Sequence, residues 1–231
     1  MTNFMFEQQP QNLRQKVQEL ALEAINKSEP TAWFETLYAS ANGDTEQIPW
    51  AKLTPHPYLQ DWLNNHQPIT TGKKALVIGC GLGDDAEALA KLGFTVTAFD
   101  ISPTAIAWCK KRFPNSKVNY EIADLLAIPS QWRLAFDFVF ECRNMQALPL
   151  SLRPAVISSV ASVVAPDGTL LVITRVRDTE EAPSGPPWPL SDSELAQLES
   201  LGLAKIDAMQ FLESQETEVK QMRIVYQRGS N

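Results

Sequence analysis

Residues 73–100 read KKALVIGCGLGDDAEALAKLGFTVTAFD, and this stretch decides the fold. Lys73–Ile78 is a short apolar run that reads as a buried strand. Gly79, Gly81 and Gly83 then punctuate a turn. The segment Asp84–Leu92 has helical spacing and is ended by Gly93, and FTVTAFD reads as a second strand ending in Asp100. Strand, glycine turn, helix, strand is the unit of a parallel sheet covered by helices.

The same rhythm continues. Ser102 and Pro103 are an N-cap and first-turn pair opening the helix SPTAIAWCKKRF. KVNYEIAD and AFDFVFE read as the third and fourth strands, Leu152–Val164 as a helix, and GTLLVITRV as the fifth strand. Buried on both faces, such strands read as continuous apolar runs. Beyond a polar, proline-rich loop at 177–189, Ser191 and Glu194 form a capping box that starts a helix to Leu201. LAKIDAMQFL and EVKQMRIVYQ add two strand-like runs. Upstream, Leu13, Val17, Leu20, Ala21, Ala24 and Ile25 share a helical face. A second helix follows Pro30 with Trp33, Phe34 and Leu37, and a third carries Leu59, Trp62 and Leu63. The expected organisation is a single domain over 1–231. Its N-terminal helical cap is 1–70, and its α/β core, 73–227, is a three-layer, doubly wound sheet.

Composition bounds the partners. The chain has 231 residues, 20 Lys+Arg against 27 Asp+Glu, and a net charge of −7. A chain of this length buries roughly 70% of its unfolded surface and needs no metal or disulfide staple. The acidic balance disfavours nucleic acid or an anionic membrane, both of which want clustered Lys and Arg. Cys80, Cys109 and Cys142 are scattered and there are only two histidines, so no zinc-ligand spacing exists and no metal site is expected. No signal peptide or membrane-length apolar run is visible. The expectation is a cytoplasmic protein, monomer or homodimer, acting on a small molecule.

The glycine turn carries the chemistry. In open α/β sheets ligands bind at the carboxyl ends of the strands. Asp100, about twenty residues after the turn, stands where a carboxylate accepts from both hydroxyls of a ribose. A dinucleotide fingerprint demands a third glycine where this chain has Asp84. An acid there suits the helix dipole but repels a pyrophosphate. That argues against a nicotinamide oxidoreductase and for an adenosine without phosphates, pointing to S-adenosylmethionine (SAM).

ALVIGCGLGDDAEALA, TAFDIS, EIADLL, FDFVFE and VVAPDGTLLVI together resemble the class I SAM-dependent methyltransferases. WFETLYASANGDTEQIPWAKLTPHPYLQDWL resembles the lead-in of the thiopurine S-methyltransferase-like branch. The resemblance implies a seven-stranded sheet, mostly parallel, with an antiparallel last strand. It implies that Gly79, Gly81 and Gly83, with Cys80 packed beside them, pass beneath the methionine portion of SAM. Asp100 would hold the ribose and Ile101 would pack on the adenine. Asp124 would accept from the adenine amino group, with Leu125 beside it. Trp33 would cover the methionine end, and Glu141 would lie near the sulfonium or the substrate. Arg143 and Gln146, after the fourth strand, would face the substrate.

In one respect the chain departs from that pattern. Many family members carry an acid two residues before the first glycine to bind the SAM amino group; here the residue is Val77. Asp84, another acid, or backbone alone must serve. Arg175 and Arg177 either recognise an anionic substrate or form salt bridges, and the 177–189 loop is either a lid or a solvated connection. A thiol or other soft nucleophile needs no general base, whereas an oxygen or carbon acceptor would need one, with Glu141 the first candidate. The alternative to an enzyme is a non-catalytic SAM-binding or protein-interaction module on the same fold.

Overall fold

The computed structural model describes residues 11–212 and 219–230. Its strands are β1 (Lys74–Ile78), β2 (Thr95–Asp100), β3 (Asn119–Ile122), β4 (Phe136–Cys142), β5 (Val164–Arg175), β6 (Leu203–Leu212) and β7 (Lys220–Arg228). They form one sheet in the order β3-β2-β1-β4-β5-β7-β6. The pairs from β3 through β5 are parallel, and β7 runs antiparallel to both β5 and β6. The chain winds outward from β1 to β3 and then returns to β4. The crevice above β1 and β4 is therefore the point where strand order reverses, and ligands of open α/β sheets settle there.

The helices are α1 (Gln11–Asn26), α2 (Ala32–Ala41), α3 (Pro57–His66), α4 (Asp84–Lys91), α5 (Pro103–Arg112), α6 (Arg153–Ser162) and α7 (Asp192–Ser200). Successive strand residues point to opposite faces, and two cores follow. Leu76, Ile78 and Val139 pack with Val156, Ile157 and Val160 of α6 and Leu195 and Leu198 of α7. Ala75, Val77, Phe138 and Phe140 pack with Leu59, Trp62 and Leu63 of α3, with Ala86 and Leu89 of α4, and with Ile106 and Cys109 of α5. A third cluster joins α1 and α2 to the glycine turn and α5, through Ala21, Ala24, Trp33, Leu37, Leu82 and Ala105. Among the described residues no helix is long and apolar enough to cross a membrane.

Local signals hold these elements where they start. The Ser102 hydroxyl accepts from the Ala105 N–H at 3.0 Å, capping α5. Glu35 of α2 adds a carboxylate to the same helix end, accepting from the Ser102 hydroxyl (2.6 Å), the Thr104 hydroxyl (2.6 Å) and the Thr104 N–H (3.1 Å). An anion suits a helix N-terminus, so one residue both stabilises α5 and fastens α2 to it. The Ser191–Glu194 capping box opens α7 as expected. β5 starts earlier than its apolar run suggests, because Val164 pairs with Phe136 before the ladder resumes at Thr169 and Phe138.

Candidate active site

The turn after β1 needs glycine for stated reasons. Gly79 sits at φ +56°, and a Cβ there would lie 1.8 Å from Asn144 Oδ1. Gly83 sits at φ +89°, and its Cβ would meet the Tyr120 hydroxyl at 2.5 Å. The turn is pinned to the end of β2: the Cys80 N–H donates to Phe99 O at 2.8 Å, and the Gly81 N–H donates to Asp100 Oδ2 at 3.0 Å.

Above this turn lies a cavity of about 540 Å³, within the usual range for small-molecule sites, about 300–1,000 Å³. Gly79, Cys80, Gly81 and Asp84 line it from the turn and α4; Gly83 caps α4 and does not reach it. Asp100 and Ile101 line it from the end of β2, and Asp124 and Leu125 from the end of β3. Trp33 lines it from α2, and Arg143 and Gln146 from the segment after β4.

Each carboxylate has a distinct environment. Asp100 accepts from two backbone N–H groups, those of Gly81 (3.0 Å) and Ser102 (2.9 Å). Burial outweighs these bonds and raises its pKa to about 6. Asp124 caps the turn Leu125–Ala127, accepting from the Leu126 N–H at 2.8 Å. Asp84 is held by Arg112 of α5 through two bonds of 2.8 Å, so its charge is already matched. Asp85, which the sequence reading passed over, also lines the cavity. Its Oδ1 accepts from the His56 N–H at 2.7 Å, and burial pushes its pKa up to about 7.

Glu141 corrects the sequence reading. It is fully buried and does not line the cavity. Strand alternation is the reason: Phe140 and Cys142 reach the cavity, while Glu141 points with Val139 to the α6 face. Its Oε1 accepts from the N–H groups of Asn144 (2.6 Å) and Met145 (3.0 Å). Burial raises its pKa to about 7 against those bonds and the charge of Arg153. Glu141 therefore shapes the turn in which Arg143 takes a left-handed φ of +66°, and has no access to a reacting atom.

The segment after β4 is equally engaged. Arg143 Nη2 donates to Gln221 Oε1 at 2.8 Å. Gln146 Oε1 accepts from the Arg175 N–H at 2.6 Å and from the Thr174 hydroxyl at 3.2 Å, so its amide oxygen ties β5 to the cavity wall. Arg177 is a salt-bridge residue, 2.7 Å from Glu194, which also faces the buried Arg153 at 3.5 Å. Pro186 and Pro187 of the 177–189 loop line the cavity. Trp188 behind them is buried, its N–H donating to Gln146 O (2.7 Å) and its carbonyl accepting from Arg153 Nη2 (2.9 Å). That end of the loop is a stitched wall.

Aromatic side chains also line the cavity, next to the glycine turn. Trp33 stacks on Phe34 at 3.9 Å and meets Trp50 edge-on at 5.9 Å, while Trp50 Nε1 donates to the Tyr38 hydroxyl at 2.7 Å. All four line the cavity. Trp50 reads as loop packing in the sequence, since nothing local shows that its loop folds back over the glycine turn. His56 also lines the cavity, but burial and Arg143 lower its pKa to about 3, so it is neutral. Aromatic faces attract a cation, and strand-end carboxylates accept from hydroxyls and amino groups. The residues present therefore fit a positively charged adenosyl compound.

Comparison with known proteins agrees. Residues 41–229 match the model of the family Thiopurine S-methyltransferase (TPMT). A probable thiol methyltransferase 2 of Arabidopsis thaliana is 31% identical over 152 residues, covering 63% of this chain and 64% of that protein. A ubiquinone biosynthesis O-methyltransferase of Xanthomonas campestris pv. campestris (strain B100) is 32% identical over 108 residues, covering 46% of this chain and 44% of that protein. The matches thus span less than two thirds of either relative. The N-methyltransferase NodS from Bradyrhizobium japonicum WM9, solved with S-adenosyl-L-homocysteine, superposes with a TM-score of 0.64 at 17% identity over 84% of this chain and 97% of that one, a likeness of fold. With the family model matching well over half of its length, the chain belongs to the thiopurine S-methyltransferase family, within the class I SAM-dependent methyltransferases.

Proposed function

We propose that the chain transfers the methyl group of SAM to a small-molecule acceptor, and that the acceptor atom is a soft nucleophile such as a thiolate. The observation that carries the reading is one cavity lined both by carboxylates at the ends of β2 and β3 and by a cluster of aromatic side chains. Asp100 would take the ribose hydroxyls and Asp124 the adenine amino group, with Ile101 and Leu125 against the base. Trp33 would face the sulfonium. SAM supplies a methyl group already activated on a positively charged sulfur. The chain's work is to hold donor and acceptor in line, and orientation of this kind contributes roughly 7–11 kcal/mol.

Three features support a soft acceptor. Glu141 is sealed behind the sheet, and His56 is a weak base, its pKa lowered to about 3 and its Nδ1 accepting from the Tyr58 N–H at 3.3 Å. Neither is placed to act as the base that a phenol or carbon acid needs, which leaves that task to Asp85, pushed up to about 7 by burial, whereas a thiolate needs no base. Arg14, Lys52, Arg143 and Arg175 also line the cavity and would supply positive charge to meet an anionic acceptor. The relative named for thiol methylation points the same way.

The test has two stages. At one hundred times its dissociation constant, S-adenosylhomocysteine stabilises a protein that binds it by about 2.7 kcal/mol, or roughly 5–10 °C at this chain length. Asp100→Ala removes most of that shift. Mass spectrometry then follows methylated products from aryl thiols, hydrosulfide, thiocyanate and phenols. No shift at millimolar ligand overturns the cofactor reading, and phenols outpacing thiols overturns the soft acceptor.

A further inference from the structure

We infer that Asp85 is the residue that takes the positively charged amino group at the amino-acid end of the cofactor. The inference rests on the reading that this cavity holds SAM and chooses among the residues left open for one of its subsites. The position at which the family resemblance leads one to expect an acid is Val77, an apolar residue of the α3–α5 core that also lines the cavity. An ammonium group brought into the cavity must replace its hydration with acceptors, and a carboxylate replaces it better than backbone carbonyls do.

Four cavity carboxylates compete for that role: one is paired with a cation, and two stand at the strand ends assigned above to the adenosine. Asp84 is matched by the Arg112 guanidinium. Asp100 bridges the Gly81 and Ser102 N–H groups at the sugar end, and Asp124 caps its own turn at the end of β3. Asp85 receives a neutral backbone N–H from His56, at 2.7 Å on Oδ1. The charged group that bears on it most is Asp84, of the same sign. That environment disfavours its ionised form and raises its pKa to about 7. A ligand cation arriving beside it would reverse the preference and form a charge-assisted hydrogen bond.

Its placement suits the task. Asp85 stands in the first turn of α4, directly after the glycine turn. His56 lies between Pro55 and Pro57, whose rings restrict the backbone. The carboxylate is therefore fixed before the ligand arrives, which reduces the ordering cost of binding.

The experiment compares two ligands on three proteins by titration calorimetry. S-Adenosylhomocysteine carries the amino-acid end; 5′-methylthioadenosine keeps the adenosine and thioether and lacks it. Asp85→Asn keeps an acceptor for the His56 N–H and removes the charge. It weakens S-adenosylhomocysteine roughly 10–100-fold, the range for a hydrogen bond to a charged group, and leaves methylthioadenosine within about twofold. Asp100→Ala weakens both. If Asp85→Asn weakens both ligands alike, or neither, the assignment is wrong. If it spares both affinities and removes turnover with an altered pH profile, Asp85 is a base and the assignment is again wrong. Failure of the wild-type protein to bind either ligand condemns the cofactor reading itself, a separate outcome.

Discussion

Replacing Glu141 with Gln separates a structural carboxyl from a catalytic one. The folded protein holds Glu141 with its pKa raised from 4.5 to about 7, chiefly by burial. Between those values the folded chain keeps a proton that the unfolded chain has released, so stability falls as pH rises. It is fully present below pH 4.5 and lost as pH passes through 7. At 1.36 kcal/mol per unit the loss is on the order of 3 kcal/mol by pH 8. Gln keeps the amide oxygen that accepts from the Asn144 and Met145 N–H groups and carries no titrating proton. The variant lacks this fall, so its stability relative to wild type grows by about 3 kcal/mol between pH 4.5 and pH 8. For a chain of this length that is roughly 6–12 °C in melting temperature. Parallel melts of both proteins across pH 4.5–8 read the difference directly, and the shared titrations of Asp85 and Asp100 cancel. Methyl transfer persists in the variant, because the side chain does not reach the cavity. An offset constant with pH refutes the burial argument. A hundredfold loss of turnover with intact S-adenosylhomocysteine affinity would return Glu141 to the chemistry.

Three further substitutions probe the frame around the cavity. Gly79→Ala forces a Cβ to within 1.8 Å of Asn144 Oδ1 at a left-handed φ, so Asn144 must leave Ile78 O and Cys142 O. A loss of more than about 2 kcal/mol in urea unfolding is expected, and an unchanged midpoint contradicts the packing described. Glu194→Ala removes the carboxylate that Arg153 and Arg177 share, leaving buried Arg153 without its salt bridge. Removing one member of such a group costs about 3–5 kcal/mol, and a change below 1 kcal/mol in the same assay would show the network to be slack. Tyr38→Phe removes the acceptor of Trp50 Nε1 and should cost about 1 kcal/mol. Tryptophan emission of the folded state reports whether the indole has been released.

The parts of the fold that the sequence displays are those whose cause lies within a few residues. The Ser102–Pro103 start, the Ser191–Glu194 box and the turn at Gly79 each specify their own backbone, and each is where the residues place it. Pairing has no such local signature. Nothing in EVKQMRIVYQ says that β7 lies between β5 and β6, because its partners Thr169–Arg175 and Leu203–Leu212 approach it from distant segments. The early start of β5 is hidden for the same reason: Val164 is drawn into the sheet by Phe136.

The site shows the same division at finer scale. An acid at the end of a parallel strand is a natural candidate for chemistry, but alternation decides which face receives it. A strand covered on both sides by helices gives no apolar–polar contrast from which to read that face. Glu141 and Phe140 were interchangeable until the packing of α6 took the one and the cavity the other. Asp84 and Asp85 pose the problem again on a helix, where neighbouring side chains point about 100° apart. What reaches them comes from far along the chain: a guanidinium 28 residues on for Asp84, and a backbone N–H 29 residues back for Asp85. The first meeting neutralises a charge and the second does not. Two adjacent identical residues thereby acquire different surroundings, the one paired with a guanidinium and the other lining the cavity beside a neutral backbone N–H.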